Sequence, residues 1–156
     1  MKKTFLLAAL LLLTFTAFAE TIPANDSRVT YVGRTLVEGT DVSFDWTATY
    51  FRLSFSGRSL TMRATDTKWD ATPEMAATRH NYYNVWIDAP MSAEPHRIIE
   101  VASADTIIEL IDPAYLKKSK IKEHQVIVQK RTEGEQGKMT IHEFATDAKG
   151  VFHQAE

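Results

Sequence analysis

Short runs in which apolar and polar residues alternate recur along this chain, and they constrain its fold more than any other feature. Residues 42–46, 51–55 and 60–64 all follow this pattern. Successive side chains of a β-strand point to opposite faces, so each run predicts a strand with one buried face. Five further segments have a similar character: 83–87, 97–101, 106–111, 124–131 and 138–144. Strands at intervals of about 8–12 residues are typical of an all-β sandwich or jelly roll rather than a parallel α/β sheet.

Two pairs of these runs are predicted to form hairpins. Gly57 lies between the first pair and supplies the backbone angles that a tight turn needs. The second pair encloses a charged segment with its tip at Glu133–Gly137, which we interpret as a solvated hairpin end without a catalytic role. This second hairpin is expected to bury four apolar side chains on one face: Val126, Val128, Met139 and Ile141.

Two segments interrupt the alternation and predict short helical turns. Thr72-Pro73 and Asp112-Pro113 each place a capping residue before a proline, an order that favours the start of a helix. The sequence therefore predicts an all-β domain, a jelly-roll β-sandwich of about 8–10 antiparallel strands with one or two short helical turns.

Residues 1–19 have the features of a secretory signal peptide. Two lysines precede an apolar run, Phe5–Leu13, and the segment closes on Ala17-Phe18-Ala19. The apolar run is shorter than the roughly 20 residues that a membrane-spanning helix needs. We therefore expect cleavage after Ala19 and no membrane anchor afterwards. Residues 20–156 would then form a single periplasmic or secreted domain. Because the chain has no cysteine, its core rather than disulfides must stabilise it.

The charge and the motif content argue against several classes of function. The formal net charge is −2 and no basic cluster is visible, which is unlike a nucleic-acid-binding protein. The chain has no G-x-S-x-G elbow, Gly-rich phosphate loop or H-E-x-x-H motif, and no two histidines have the spacing of a helical ligand pair. The sequence therefore predicts no cofactor, no metal and no catalytic residue. The spacing of Asp66, Asp70 and Asp88 leaves a paired-carboxylate site open.

Aromatic residues outside the alternating pattern are the candidates for ligand binding. Trp69 lies in a polar segment, Tyr82 precedes a predicted strand, and Trp86 has the opposite parity to its apolar neighbours and is expected to point outward. Flat rings stack on sugars, and a nearby carboxylate such as Asp66 can hydrogen-bond the hydroxyls. We therefore name Trp69, Tyr82, Asp66 and Trp86 as candidate glycan-binding residues. The alternative is that such rings cover a second sheet or a neighbouring domain. Trp46 ends an alternating run and is expected in the core.

Four segments of the chain, taken in order, carry a family resemblance. They are YVGRT (31–35), FRLSFSGRSLTMRATDT (51–67), NYYNVWIDA (81–89) and VIVQKRTEGEQGKMTIHEFATDAKG (126–150). Together they resemble the N-terminal β-sandwich of carbohydrate esterase family 2, whose members join a jelly-roll domain to an SGNH/GDSL-type deacetylase domain. The most specific elements are F-S-G-x-x-L, N-x-Y/W-x-x-I-D and the K-R-T-E turn. The family pattern has glycine before Phe144, whereas Glu143 stands there in this chain.

The resemblance implies a jelly-roll fold and a role as the accessory, carbohydrate-binding-like domain of an acetylxylan esterase-like polysaccharide deacetylase. It implies acetylated xylan or a related plant glycan as ligand, and an SGNH catalytic domain as partner in cis or in trans. We do not find the Gly-Asp-Ser nucleophile block of that domain, since Asp26-Ser27 has no predicted strand before it to position a nucleophile. O-acetyl esterase activity is therefore expected only where an SGNH domain is joined to this one.

Two other interpretations remain open. The chain could be a free-standing exported glycan-binding module that works through loop aromatics, or an envelope interaction domain without a ligand. If it packs against a catalytic domain, we expect an exposed patch centred on Trp86, with the second predicted hairpin and residues 151–156 near the rim.

Overall fold

A computed structural model describes residues 19–67, 80–101 and 105–154 of the chain. Within these residues the chain forms twelve β-strands, one short α-helix (α1, Pro113–Lys118) and a 3-10 turn at Gly134–Gln136. In chain order the strands are β1 (Thr21–Pro23), β2 (Thr30–Val32), β3 (Leu36–Glu38), β4 (Asp41–Phe44), β5 (Tyr50–Ser56), β6 (Leu60–Thr67), β7 (Asn81–Ile87), β8 (Arg97–Val101), β9 (Thr106–Glu109), β10 (His124–Lys130), β11 (Lys138–Thr146) and β12 (Val151–His153). The predicted all-β class is confirmed. The strands outnumber the prediction because β1, β2, β3 and β12 have three residues each, too few to show alternation.

The strands form two six-stranded antiparallel sheets. In sheet 1 the order is β3-β4-β11-β6-β9, and β1 shares one edge of β11 with β4. In sheet 2 the order is β12-β5-β10-β7-β8, and β2 shares one edge of β5 with β12. From β4 to β7, and again from β9 to β12, consecutive strands alternate between the sheets. Most connections therefore cross from one sheet to the other at the ends of the sandwich.

Both predicted hairpins are wrong. β5 belongs to sheet 2 and β6 to sheet 1, and β10 and β11 are divided in the same way. β5 pairs with β10, and β6 pairs with β11. Alternation identifies the buried face of each strand, but a hairpin and a crossover between sheets can bury the same residues. Gly57 lies in the crossover that connects β5 to β6. Its φ is +140°, and a Cβ there would lie 2.8 Å from Asp147 Oδ1 and 3.0 Å from Gly150 Cα.

The apolar faces that alternation predicts fill the space between the sheets. Phe51, Leu53 and Phe55 of β5 are fully buried, as predicted. The ring centroids of Phe51 and Phe144 lie 5.1 Å apart, and this contact packs sheet 2 against sheet 1. The four side chains assigned to the second hairpin are also buried, but they come from opposite sheets: Val126 and Val128 from sheet 2, and Met139 and Ile141 from sheet 1.

A β-bulge in β11 accommodates Glu143 where the family pattern has glycine. The pairing of β11 with β6 shifts between Ile141 and Glu143, which makes His142 the extra residue. His142 and Glu143 are both partly exposed, and Phe144 is fully buried. The bulge therefore returns the strand to its inward parity one residue later.

Helix α1 forms where Asp112-Pro113 predicts it. Asp112 Oδ1 accepts a hydrogen bond from the backbone N–H of Ala114 at 2.8 Å, Pro113 occupies the first turn, and Leu116 is buried. Over the described residues, no helix is long and apolar enough to cross a bilayer. The turn predicted at Thr72-Pro73 lies outside the described residues.

Hydrogen bonds fasten Glu20, the first residue after the predicted cleavage point. Its carboxylate accepts hydrogen bonds from Arg28 Nη1 and from the backbone N–H of Phe152, both at 2.7 Å. Its carbonyl oxygen accepts one from the N–H of Thr146 at 3.0 Å. These contacts tie the residue to β11 and β12. Cleavage itself stays a prediction, since residues 1–18 lie outside the described part of the chain.

Candidate functional site

The structure gives the predicted site residues very different surroundings. Asp66 is buried in β6, and its Oδ1 accepts a hydrogen bond from Asn81 Nδ2 at 2.8 Å. Tyr82 is half-buried at the start of β7, opposite Glu100 of β8. Trp69 lies outside the described residues. Their roles in glycan binding therefore stay predictions.

Trp86 lies on the outer face of β7, as its parity predicts, but it is not exposed. Only 4% of its surface is accessible, and its Nε1 donates a hydrogen bond to the carbonyl oxygen of Ala93 at 2.8 Å. The loop after β7 folds back over the ring. Trp86 therefore presents no free face to a sugar and cannot be the centre of an exposed interdomain patch. The expected sugar-stacking face and the expected exposed patch are therefore both wrong, because strand parity does not predict the loop that covers the ring.

The first residue of the K-R-T-E turn is buried. Lys130 is 1% exposed, and its Nζ donates hydrogen bonds to the carbonyl oxygens of Thr132 (2.7 Å) and Glu133 (2.9 Å). Burial lowers the pKa of Lys130 to about 8, an effect partly offset by the carboxylates of Asp66, Asp45 and Glu133. The interpretation as a solvated end holds for the outer residues of the turn but not for Lys130.

Hydrogen bonds extend from Lys130 to the ends of two other strands. Thr132 Oγ1 accepts one from Lys130 Nζ at 3.1 Å and donates one to Asn81 Oδ1 at 2.7 Å. Asn81 Nδ2 in turn donates to Asp66 Oδ1 at 2.8 Å and to the carbonyl oxygen of Gln136 at 3.1 Å. We call this set the Lys130 network. It joins the asparagine of the N-x-Y/W motif to the K-R-T-E turn, and it fixes one end of the sandwich.

The same turn holds the segment that follows β4. The N–H of Ala48 donates a hydrogen bond to the carbonyl oxygen of Lys130 at 3.0 Å. Thr47 Oγ1 donates one to the carbonyl oxygen of Thr132 at 2.9 Å. The loop that carries Trp46 is therefore braced by the K-R-T-E turn.

Trp46 is exposed, contrary to the expectation that it lies in the core. Its exposed fraction is 53%. β4 ends at Phe44, so the alternation in the sequence continues past the end of the strand and no longer predicts a face. The guanidinium of Arg34, from the YVGRT segment, lies 4.8 Å from the Trp46 ring centroid in a cation–π contact.

Three clefts meet at Trp46. One, of about 550 Å³, lies on the side of Asp45, Glu133 and Glu135. The other two, of about 420 and 360 Å³, share Arg34. We call the following residues the Trp46 surface: Val32, Arg34, Leu36, Asp45, Trp46, Glu133 and Glu135.

The chemistry of the Trp46 surface suits a hydroxyl-rich ligand. Small-molecule sites combine apolar area with a few polar groups that fix orientation. Here an indole supplies the apolar area, carboxylates accept hydrogen bonds, and Arg34 donates them. Sequence reasoning missed the site because nothing in the local pattern shows that β4 stops before Trp46.

A carboxylate–imidazole–hydroxyl series lies across three strands of sheet 1. His142 Nδ1 is 2.9 Å from Asp41 Oδ2, and His142 Nε2 is 2.8 Å from Thr65 Oγ1. The order matches that of hydrolase triads, but acyl transfer also needs donors aimed at the oxyanion. Thr65 lies within a strand and pairs with Thr140 of β11. We therefore interpret the series as a bridge that stabilises β4, β11 and β6.

His124 and His142, one on each strand beside the charged segment, do not come together as a pair of metal ligands. His124 lies in sheet 2, with Nδ1 2.6 Å from Asp88 Oδ2, and His142 lies in sheet 1. Across the three described ranges, no group of three or more His, Asp or Glu side chains could hold a metal ion.

Solved structures of other proteins contain the same fold. A family two carbohydrate esterase from Cellvibrio japonicus aligns with a TM-score of 0.68 and 20% identity, covering 88% of this chain and 36% of that one. An acetyl xylan esterase (Est2A) from the rumen bacterium Butyrivibrio proteoclasticus aligns at 0.66 and 10%, covering 89% and 34%. The CBM36-1 domain of a multidomain xylanase from the hindgut metagenome of Trinervitermes trinervoides aligns at 0.52 and 11%, covering 88% and 98%. This chain spans about a third of the length of the two esterases.

Family assignment rests on the sequence match. No curated protein matches the chain. The family model described as carbohydrate esterase 2 N-terminal matches residues 31–155, a range that includes the Lys130 network and the Trp46 surface. Because that range is most of the sequence, the chain belongs to the carbohydrate esterase 2 N-terminal family.

Proposed function

We propose that this domain is the accessory, carbohydrate-binding domain of a polysaccharide O-acetyl esterase, and that it acts beside an SGNH-type catalytic domain in cis or in trans. Family membership supports the partnership, and so does the fraction of the similar esterases that the chain spans. An acetylated polysaccharide such as xylan is the proposed ligand, met in the periplasm or outside the cell. The likeness to an acetyl xylan esterase and to a domain of a xylanase supports this class of ligand.

One observation carries the binding role: a half-exposed tryptophan on a braced loop, with carboxylates beside it. The Trp46 ring offers apolar area for stacking on a sugar, and Asp45 and Glu133 can accept hydrogen bonds from its hydroxyls. The K-R-T-E turn holds the loop in place before a ligand arrives. Such preorganisation lowers the entropic cost of binding.

Replacing Trp46 by alanine should weaken glycan binding at least about tenfold, or about 1.4 kcal/mol, because the stacking area is lost. The domain should stay folded, since the ring is half exposed. The measurement is calorimetric titration of residues 20–156 with acetylated xylo-oligosaccharides.

Two further variants make this test specific. Ile107→Ala removes an apolar side chain that is 70% exposed on β9, away from the Trp46 surface, and should bind like the wild type. Trp69→Ala examines the residue predicted from the sequence. Binding that is lost in Trp69→Ala and kept in Trp46→Ala would contradict the assignment to Trp46.

A specific observation favours a second role for the same surface. Val32 lies on β2 and Leu36 on β3, and each is more than 40% exposed. Tryptophan and arginine are enriched at the centres of protein interfaces, and contacts between domains cover about 600–1,500 Å². The Trp46 surface, rather than Trp86, is thus the candidate contact for a catalytic domain. A Trp46→Ala variant that binds glycan normally but no longer associates with a purified SGNH esterase domain would favour this role.

A further inference from the structure

A separate cavity lies at the other end of the sandwich, and we propose that it binds the carboxylate of an acidic sugar residue in the polysaccharide. β5 and β10 connect the two ends: Tyr50 pairs with Gln129 near the Trp46 surface, and Phe55 pairs with His124 at the cavity. Strands of this length span roughly 20 Å, so the two sites are distinct. The inference rests on the proposed function, in which the domain contacts a polysaccharide.

Three connections between the sheets border the cavity, which is open to solvent and has a volume of about 580 Å³. They are the crossover after β5, the segment from α1 to β10, and the turn between β11 and β12. Four cationic side chains line it: Arg58, Lys117, Lys122 and Lys149. Within the described ranges none of the four forms an ion pair with a carboxylate. In a chain whose formal net charge is −2, this local excess of positive charge attracts an anion.

His124 gives the cavity a fixed polar wall. The residue is 2% exposed, and its Nδ1 lies 2.6 Å from Asp88 Oδ2. Asp88 is held in turn, because its Oδ1 accepts a hydrogen bond from the backbone N–H of Gln125 at 3.0 Å. The rings of Phe55 and Tyr115 lie 5.6 and 6.5 Å from the imidazole. These contacts set the position of His124 before any ligand enters.

The remaining lining fits a charged sugar better than a small inorganic anion. Leu116 and Ile121 contribute apolar surface, and Ser119 and Asp147 contribute oxygen acceptors. The carboxylate of Asp147 repels a doubly charged phosphate more strongly than a single carboxylate, and it can accept a hydrogen bond from a sugar hydroxyl. The combination matches a ring with one negative charge, several hydroxyls and an apolar face, which describes a uronic acid.

The test compares acidic and neutral oligosaccharides on residues 20–156. Xylo-oligosaccharides of equal length, with and without one glucuronic acid substituent, are titrated by calorimetry at low ionic strength. The acidic one should bind roughly tenfold more tightly, because its carboxylate gains charge-assisted hydrogen bonds. Added salt should reduce this preference, since the cations are at the surface.

Two double variants with equal changes in charge test whether the cavity causes the preference for the acidic oligosaccharide. The double variant Lys117→Gln/Lys122→Gln should lose this preference. The double variant Lys118→Gln/Lys120→Gln changes the net charge equally at lysines that do not line the cavity, and it should keep the preference.

Three outcomes would overturn the inference. They are equal affinity for the two oligosaccharides, an equal loss in both double variants, and binding of inorganic phosphate or a sulfated polymer as tight as that of the acidic oligosaccharide. Neutral oligosaccharides that bind through Trp46 without any preference for the acidic form would overturn this inference alone. Failure of every oligosaccharide to bind would overturn the proposed function as well.

Discussion

At the scale of single residues, Lys130 is the clearest link between a sequence motif and the architecture. A buried ammonium group is costly unless its hydrogen bonds are satisfied, and here the turn that follows it supplies two carbonyl oxygens and a hydroxyl. The same turn braces the loop of Trp46. A change at Lys130 is therefore expected to reach the candidate binding surface through the backbone.

The lowered pKa of Lys130 predicts that the domain becomes more stable as the pH rises from about 8 to 10.5. In the unfolded chain the lysine keeps its proton up to its ordinary pKa near 10.5, whereas in the folded chain it loses the proton near pH 8. The unfolded state binds more protons between these values, so the free energy of unfolding increases there, by up to roughly 3 kcal/mol. Below pH 8 both states are protonated, and this contribution no longer changes.

Urea unfolding of the wild type and Lys130→Met between pH 7 and 10.5 measures this effect. Methionine keeps much of the side-chain length and cannot titrate, so the variant should lack the increase that the wild type shows. Parallel stability curves over this range would contradict the assignment of the shift to Lys130.

The two tryptophans of the described residues show why parity alone does not predict exposure. Trp46 continues an alternating run but lies past the end of β4, so it is exposed. Trp86 points away from the core, as predicted, yet the loop with Ala93 covers it. In both cases the deciding contact comes from a segment with no periodic signal of its own.

At the scale of elements, alternation predicts burial well and strand partners poorly. The inward residues of β5, β6, β10 and β11 are buried as predicted, because any packing of an amphipathic strand must cover its apolar face. Which strand lies beside which depends on how the connections cross the ends of the sandwich. Short polar turns such as Ser56–Ser59 suit either a hairpin or a crossover, so the sequence did not distinguish them.

Leu53→Ala should reduce the free energy of unfolding by about 2–5 kcal/mol, because it leaves a cavity in the centre of the core. Leu53 is fully buried in β5, a strand that pairs with β10 along one edge and with β2 and β12 along the other. Denaturant unfolding monitored by circular dichroism measures the change. Ile107→Ala is the control, and at 70% exposure it should change the stability by about 0.5 kcal/mol or less. Equal effects of the two substitutions would show that the parity of β5 is misassigned.

Gly57→Ala should destabilise the domain more than Gly39→Ala. Both glycines have positive φ. At Gly39 this backbone conformation should cost an L-residue about 1–2 kcal/mol, with no further steric cost, because no atom lies within 4 Å of the added methyl. At Gly57 the methyl also meets the backbone of Gly150 at 3.0 Å, and the crossover has little room to move. Thermal unfolding of the two variants compares these costs. An equal decrease in Tm would contradict the prediction, because it would mean that the crossover shifts to make room for the methyl group.

At the scale of the whole molecule, the two ends of the sandwich differ in chemistry. The Trp46 surface combines an aromatic ring with carboxylates, whereas the cavity beside His124 is rich in cations. The family resemblance predicted the fold, and residues 31–155 match that family. It did not predict these sites, because side chains from three or more separate segments form each of them.

Residues 20–156 should not hydrolyse acetylated xylan or aryl acetates above the uncatalysed rate. In the described residues, the closest approach to catalytic geometry is Asp41–His142–Thr65, whose hydroxyl lies within β6 and which we interpret as a bridge between strands. Release of acetate is the measurement. Turnover that disappears in Thr65→Ala, or with a reagent that modifies active-site serines, would contradict this assignment.

Nuclear magnetic resonance of the indole N–H groups tests the central claim, glycan binding at Trp46, most directly. The Nε1–H signals are followed while residues 20–156 are titrated with an acetylated xylo-oligosaccharide, and Trp46→Ala identifies the Trp46 signal. The account predicts that this signal shifts in a saturable manner. The Trp86 signal should stay in place, because its N–H is held by Ala93 beneath a loop. A Trp46 signal that does not move while the oligosaccharide binds would contradict the account.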